Sequence, residues 1–136
     1  MHFASWQAQD GAMNEGDTFR SGCALSSALD LIGDKWSFVV LRGLFVGWTR
    51  YGEFLTGPEK ISTNILADRL KRLEALGLIS RHAGRGGPIY RLTRKGAELL
   101  PTMQALAIWG HANIADRWAV PEWFLRAKPE DFYPER

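Results

Sequence analysis

The sequence predicts a mainly α fold (α+β) in which helices surround one two-stranded β-hairpin. Two observations indicate this fold. A helix with distinct start and stop signals runs from Thr63 to Leu76, and two β-type segments with a glycine-rich connection follow it. At 136 residues, the chain is expected to form one domain with its own apolar core.

The residues before position 60 are predicted to form an arm and three helices. Residues 1–22, rich in Gly, Asp and Gln, are interpreted as an N-terminal arm. Apolar residues at spacings of three and four predict a helix from Ala24 to Ile32. Asp34 is expected to cap a second helix from Lys35 to about Val46, and a helix of one to two turns is expected from Tyr51 to Leu55.

The helix from Thr63 to Leu76 carries the strongest local signals. Ser62 is a good N-cap, and Gly77 stands where a left-handed C-terminal cap is needed. Three leucines are expected to form its buried stripe: Leu66, Leu70 and Leu73. Its opposite face is left with Thr63, Asn64, Asp68, Lys71 and Arg72.

The remaining elements are a hairpin and a long helix. Strands are predicted at Ile79–His82 and Ile89–Leu92, joined by the six residues between them. Thr93 is expected to cap a long helix that reaches about Trp118, with a kink or break at Pro101. This order of helices and hairpin is that of a winged helix-turn-helix, with a two-stranded β wing and a long C-terminal dimerisation helix.

Positive charge is concentrated on the capped helix and the hairpin. From Lys60 to Lys95 there are nine Lys or Arg and two Asp or Glu, a net charge of +7, while the whole chain has a net charge of only +2. A cationic helix with an adjacent β-ribbon favours binding to the phosphate backbone of DNA.

Six further motifs stand in a fixed order along the chain: Leu31–Trp36, Leu41–Arg42, Arg50–Phe54, Ile61–Ser62, Leu70–Ile79, and Tyr90–Thr93 with Gly96. This ordered set resembles the HxlR family, a branch of the MarR-like winged helix-turn-helix transcription regulators. The resemblance places such a domain at about residues 23–119, with residues 120–136 as a C-terminal extension outside it. It implies a homodimer, formed mainly by the first and last helices, that binds a pseudo-palindromic operator. A repressor is expected more than an activator.

The mechanism of DNA binding can be assigned residue by residue. The first turns of a helix in the major groove reach the base edges, so Thr63 and Asn64 are the candidates for base contact, and Asp68 lies on the same face. Arg85 in the hairpin loop is a candidate for an adjacent minor groove. Phosphate contacts are expected from Arg50, Lys60, Lys71, Arg72 and the helix N-terminus at Ser62.

Each of these residues also has a simpler interpretation. Lys71, Arg72 and Asp68 fit a solvated helix face, Asn64 fits a supporting role in the first helical turn, and Arg85 fits an ordinary turn. Arg42 is expected to form a structural salt bridge rather than a DNA contact. Arg69 is left open between an ion pair and a phosphate contact.

Cys23, the only cysteine, precedes the first helix. Free backbone N–H groups at a helix start favour a reactive thiolate, and in the resembled family such a cysteine can sense oxidants or electrophiles. A small buried thiol without a sensing role is the alternative. The aromatic residues after Trp109 fit core and dimer packing, with an aromatic-lined pocket for a small-molecule effector as the second interpretation.

Other classes of protein are disfavoured by the sequence. No nucleophile motif, paired-carboxylate pattern or phosphate-binding glycine fingerprint suggests an enzyme, and no cofactor or metal site is expected. Neither a membrane span nor a secretory signal is evident, so a cytoplasmic protein is expected. The serious alternative is a winged-helix module that binds another protein and no DNA.

Overall fold

The computed structural model describes residues 19–133, and most of the expected N-terminal arm lies outside them. The chain divides into two compact units, one up to Phe38 and the other from Val39 onward. None of the described helices is long and apolar enough to cross a membrane.

The described part of the first unit contains helix α1, Ala24–Ile32, which confirms the prediction for this segment. The side chain of Arg20 pairs with Asp30, with 2.5 Å between Nε and Oδ1. The Asp34 carboxylate accepts hydrogen bonds from the backbone N–H groups of Trp36 and Ser37, both at 3.0 Å. Because residues 34–36 form this turn, helix α2 spans Ser37–Val46 and starts two residues later than expected.

The second unit is organised around three successive elements. The short helix α3 covers Tyr51–Phe54, and helix α4 covers Thr63–Ala75, each within one residue of the prediction. The three predicted leucines of α4 are buried, and they belong to a core that also includes Val40, Leu41, Leu44, Phe45, Phe54, Leu78, Ile79, Leu92 and Leu100.

The hairpin is longer than the sequence suggested. Strand β1 spans Ile79–Gly84 and strand β2 spans Gly87–Leu92, paired antiparallel from Ile79 opposite Leu92 to Gly84 opposite Gly87. The expected six-residue loop was therefore wrong, and only two residues connect the strands. In a two-stranded sheet each strand has an unpaired edge, so a proline in β2 does not interrupt the ladder.

The predicted long helix is in fact two helices. Thr93 caps the short helix α5, Arg94–Ala97, by accepting a hydrogen bond from Gly96 N–H at 3.1 Å. Helix α6, Leu100–Asn113, starts one residue before Pro101, because proline fits the first turn of a helix and not its interior. The break at Pro101 is confirmed, but the helix ends before Trp118 and not at it.

The described part of the C-terminal extension is folded. Helix α7 spans Glu122–Arg126, and a 3₁₀ turn spans Pro129–Phe132. The ring of Phe132 meets that of Phe45 edge to face at 4.9 Å between centroids, and Arg94 lies 5.8 Å from the centroid of Tyr133. The extension is thereby packed against α2 and α5.

Candidate nucleic-acid interface

Helix α4 presents one polar face and one buried face. Ser62 Oγ accepts a hydrogen bond from Ile65 N–H at 3.2 Å, which confirms Ser62 as the N-cap. The leucine stripe is fully buried, and the side chains on the other face are all exposed: Ser62, Thr63, Asn64, Asp68, Lys71 and Arg72. A single helix and its N-cap thus bring together six of the predicted site residues on one exposed face.

The C-terminal end of α4 is fixed by its cap and by α5. Gly77 has a φ of 80°, and Leu78 N–H donates to Leu73 O at 3.0 Å, as in a left-handed helix cap. Lys95 Nζ donates to Leu76 O at 2.9 Å, and Thr93 Oγ1 donates to Gly77 O at 2.6 Å. The charge of Lys95 therefore serves partly to hold the end of this helix.

The N-terminal end of α4 is held by the short helix before it. Tyr51 Oη donates a hydrogen bond to Thr63 O at 2.9 Å. The Glu53 carboxylate accepts from the backbone N–H groups of Thr49 and Arg50 at 2.8 and 2.9 Å, and these hydrogen bonds lower the pKa of Glu53. Tyr51 is thus fixed at the start of a capped turn and orients the first turn of α4.

The turn before α3 also holds the wing. Tyr90 N–H donates to Thr49 O at 2.8 Å, and Arg50 Nη1 donates to Gly87 O at 3.0 Å. Arg50 was expected to contact a phosphate, and one of its side-chain N–H groups instead donates to the backbone of strand β2. Arg85 is exposed at the tip of the hairpin, where Gly86 adopts a φ of 84°.

The turn that leads into α4 contains an ion pair and an unusual backbone conformation. Both Nη atoms of Arg42 donate to the carboxylate oxygens of Glu59 at 2.7 Å, which confirms Arg42 in a structural salt bridge. This hydrogen-bonded pair lowers the pKa of Glu59. The next residue, Lys60, is exposed and adopts a left-handed φ of 57°, with its N–H donating to Gly57 O at 3.1 Å.

The positive field of this surface is only partly neutralised. The Asp68 carboxylate pairs with the neighbouring Arg69 at 2.6 Å, so the ion pair is one role of Arg69. Arg94 also pairs with Glu98 at 3.5 Å. The cations on and around α4 and the hairpin are otherwise exposed: Lys60, Lys71, Arg72, Arg81, Arg85, Arg91 and Lys95. Phosphates approaching α4 and the hairpin would meet these side chains.

Cys23 lies in the first unit, and α4 and the wing belong to the second. It is half-buried and occupies the N-cap position of α1, as predicted. Its N–H donates to Ser21 Oγ at 3.2 Å, and its carbonyl accepts from Ser27 N–H at 2.9 Å. Within residues 19–133, no group of three or more His, Cys, Asp or Glu residues is arranged to hold a metal ion.

A capped helix with an exposed polar face, next to a cationic β-hairpin, defines a winged helix-turn-helix protein. The chain is a transcriptional regulator of the helix-turn-helix type. It belongs to the HxlR-like helix-turn-helix family, whose model matches residues 31–117. The match spans α2 to α6 and therefore contains the whole candidate interface.

Known proteins agree with this assignment. An HTH-type transcriptional regulator of Synechocystis sp. is 37% identical over 98 residues, which cover 68% of this chain and 73% of the relative. The regulator YodB of Bacillus subtilis is 32% identical over 100 residues, covering 71% of this chain and 85% of YodB. The structure of reduced YodB matches with a TM-score of 0.58 and 29% identity, over 69% of this chain and 95% of that one.

Another similar structure is the redox regulator HypR in its reduced form. It matches with a TM-score of 0.62 and 29% identity, over 67% of this chain and 93% of HypR. YodB has also been solved with a bound quinone.

Sequence reasoning missed the residues that position α4. Tyr51 and Lys95 were not singled out, because their acceptors are backbone carbonyls 12 and 19 residues away in the chain. The only local signal was the placement of Glu53 three residues after Arg50, the spacing at which a carboxylate reaches back to a helix start.

Proposed function

We propose that this protein is a homodimeric repressor that binds a pseudo-palindromic operator with α4 in the major groove. The observation that carries the proposal is the exposed face of α4, which projects Thr63 and Asn64 from its first turn and Lys71 and Arg72 from later turns. First-turn side chains reach base edges, while cations further along the helix meet the backbone. The relatives from Synechocystis and Bacillus come from bacteria, whose DNA lies in the cytoplasm, and we propose that this protein acts there as well.

The wing supports this proposal through its shape. Strand pairing continues to Gly84 and Gly87, which leaves Arg85 at the end of a narrow ribbon. An arginine on a narrow projection suits an A·T-rich minor groove, where the negative potential is strongest. Arg50 and Thr49 tie the base of the ribbon to the turn before α3, so the ribbon and α4 are positioned by neighbouring residues.

Dimerisation is supported by apolar side chains that remain exposed on helices α1 and α6. On α1 these are Leu25 and Leu29; on α6, Leu106 and Trp109 lie one turn apart and Trp109 is 60% exposed. Exposed apolar side chains on each of these helices favour association with a second copy. We expect Leu106→Glu to convert the dimer to a monomer in sedimentation experiments, and an unchanged dimer would remove α6 from the interface.

The DNA contacts are tested by paired substitutions and a salt titration. Asn64→Ala should cost about 1–3 kcal/mol on the operator and relax one base position. Lys71→Ala should weaken binding to all sequences alike and reduce the slope of log affinity against log salt by about one unit. Lys128→Ala, an exposed lysine of the extension, is the matched control and should change neither.

Two outcomes would contradict the proposed contacts. Intact operator discrimination in Asn64→Ala would show that Asn64 supports the helical turn and reads no base. Absence of any salt-sensitive binding to duplex DNA would favour the alternative, a winged-helix module that binds another protein.

We further propose that Cys23 makes the regulator responsive to quinones. A quinone is bound in one structure of the relative YodB, and here the half-buried thiol stands at the start of α1. The thiolate would form a bond from sulfur to a ring carbon, and the ring would take up a proton to give the substituted hydroquinone. Benzoquinone should then release wild-type protein from its operator and leave Cys23→Ser bound; equal release of both would exclude the thiol.

A further inference from the structure

We infer that a cavity between α6 and the C-terminal extension binds a planar aromatic carboxylate. The cavity has a volume of about 360 Å³ and lies within the second unit. Its lining comes from three segments: residues 42 and 46 of α2; residues 103, 107, 110 and 111 of α6; and residues 117–121, 123 and 124. This volume lies within the usual range for small-molecule sites, roughly 300–1,000 Å³.

The walls of the cavity are apolar and aromatic. Met103, Ala107 and Phe124 line it, and the indole rings of Trp118 and Trp123 stand at its edge, with Trp118 82% exposed. Flat rings with an open face offer stacking surfaces to another aromatic ring. An aliphatic ligand of the same size would use these walls less well.

One wall is fixed in place by a half-buried side-chain amide. Gln104 Nε2 donates to Phe124 O and to Ala127 O, both at 2.9 Å. These two hydrogen bonds attach helix α7 to α6 beside the cavity. A site whose wall is already ordered costs less conformational entropy to fill.

The polar groups of the lining are all cationic or neutral. Arg42, His111 and Arg117 line the cavity, and no Asp or Glu does. Arg42 is already neutralised by the two hydrogen bonds to Glu59. The Nε of Arg117 donates to Ala115 O at 3.2 Å, so its two Nη groups remain for an anion. A guanidinium beside stacking indoles suits a carboxylate attached directly to an aromatic ring.

The same charge pattern disfavours a second copy as the occupant. A two-fold interface places a surface patch against a copy of itself; no carboxylate lines this cavity, and the nearby Glu122 is already paired with Arg126 at 2.9 Å. Most of the rim, residues 118–124, lies beyond the residues that match the family model, so the cavity is built by this chain's own extension. The inference deepens the effector response of the proposed regulator by naming a site and a ligand class.

The test measures ligand binding by calorimetry on the full chain without DNA, so that its failure is separate from failure to bind an operator. Naphthoate should bind, and its neutral analogue naphthamide should bind about tenfold more weakly. Ala107→Leu, which projects three more carbons into the cavity, should weaken binding at least tenfold, while Ala105→Leu on the exposed side of α6 should not. Arg117→Gln should remove the preference for naphthoate, whereas Arg126→Gln, an arginine outside the lining, should retain it.

Three results would overturn the inference. Wild-type protein that binds neither compound at millimolar concentration has no such site. Naphthoate binding that Ala107→Leu does not weaken takes place elsewhere. Equal affinity of wild-type protein for naphthoate and naphthamide would show that Arg117 does not select an anion.

Discussion

Gly96 is the position where a single methyl group should most directly disturb the support of α4. A Cβ built on Gly96 would lie 2.0 Å from Leu78 O and 2.9 Å from Leu78 C, both backbone atoms that cannot rotate away. To restore even 3.0 Å, α5 must move by about 1 Å relative to Leu78. That movement strains the hydrogen bond from Thr93 N–H to Leu78 O, which is 3.1 Å long. It also strains the hydrogen bonds that the side chains of Thr93 and Lys95 donate to backbone carbonyls at the end of α4.

The magnitude follows from two opposing effects. Overpacking costs about 1–3 kcal/mol, and strain on the hydrogen bonds of α5 adds up to about 1 kcal/mol in total. The higher helix propensity of alanine returns at most about 1 kcal/mol. The steric term therefore dominates, and we expect Gly96→Ala to lower the free energy of unfolding by about 1–3 kcal/mol.

Urea unfolding followed by circular dichroism measures this difference, provided that the slope against urea is unchanged. Gly52→Ala is the matched control, because a Cβ at Gly52 of α3 meets nothing within 4 Å. It should leave stability unchanged or raise it by up to about 1 kcal/mol. If Gly96→Ala proves as stable as Gly52→Ala, the close approach of α5 to Leu78 is refuted.

Two further predictions concern the turns on either side of α4. Tyr51→Phe removes the hydrogen bond to Thr63 O and should lower the free energy of unfolding by about 0.5–1.5 kcal/mol, measured by thermal or urea unfolding. An unchanged free energy of unfolding would mean that water replaces the hydroxyl without loss of stability. Glu59 has a pKa held below its ordinary value of 4.5 by Arg42, so its contribution to stability is present above that pH and lost as the pH falls below it. Glu59→Gln should therefore lose less stability than wild type on acidification, and parallel pH profiles would show that the pair contributes nothing.

The sequence predicted those elements whose signals are local. The cap at Ser62, the leucine stripe of α4 and the stop at Gly77 each depend on residues within one or two helical turns, and all three were confirmed. The break at Pro101 was confirmed for the same reason, since proline acts on its own turn of helix.

The ends of the hairpin and of the last helix were predicted wrongly. Glycine and proline between residues 83 and 88 favoured a loop, yet pairing with a partner strand outweighs this local preference. Gly84 also leaves room for the Ile89 side chain, because a Cβ at position 84 would lie only 2.6 Å from it. Apolar spacing continued to Trp118, but the chain leaves the helix at Ile114 and its aromatic residues line a cavity instead.

By itself, the sequence determined the order of the elements as far as the hairpin, the cationic segment and the family, because helix caps, apolar period and charge are properties of short stretches of chain. Only the tertiary structure decided what Arg50, Lys95 and Gln104 do. Arg50 reaches Gly87 across 37 residues, Lys95 reaches Leu76 across 19, and Gln104 reaches Phe124 across 20. The acceptors are backbone carbonyls, which every residue has, so no pattern of side chains marks them before the chain has folded.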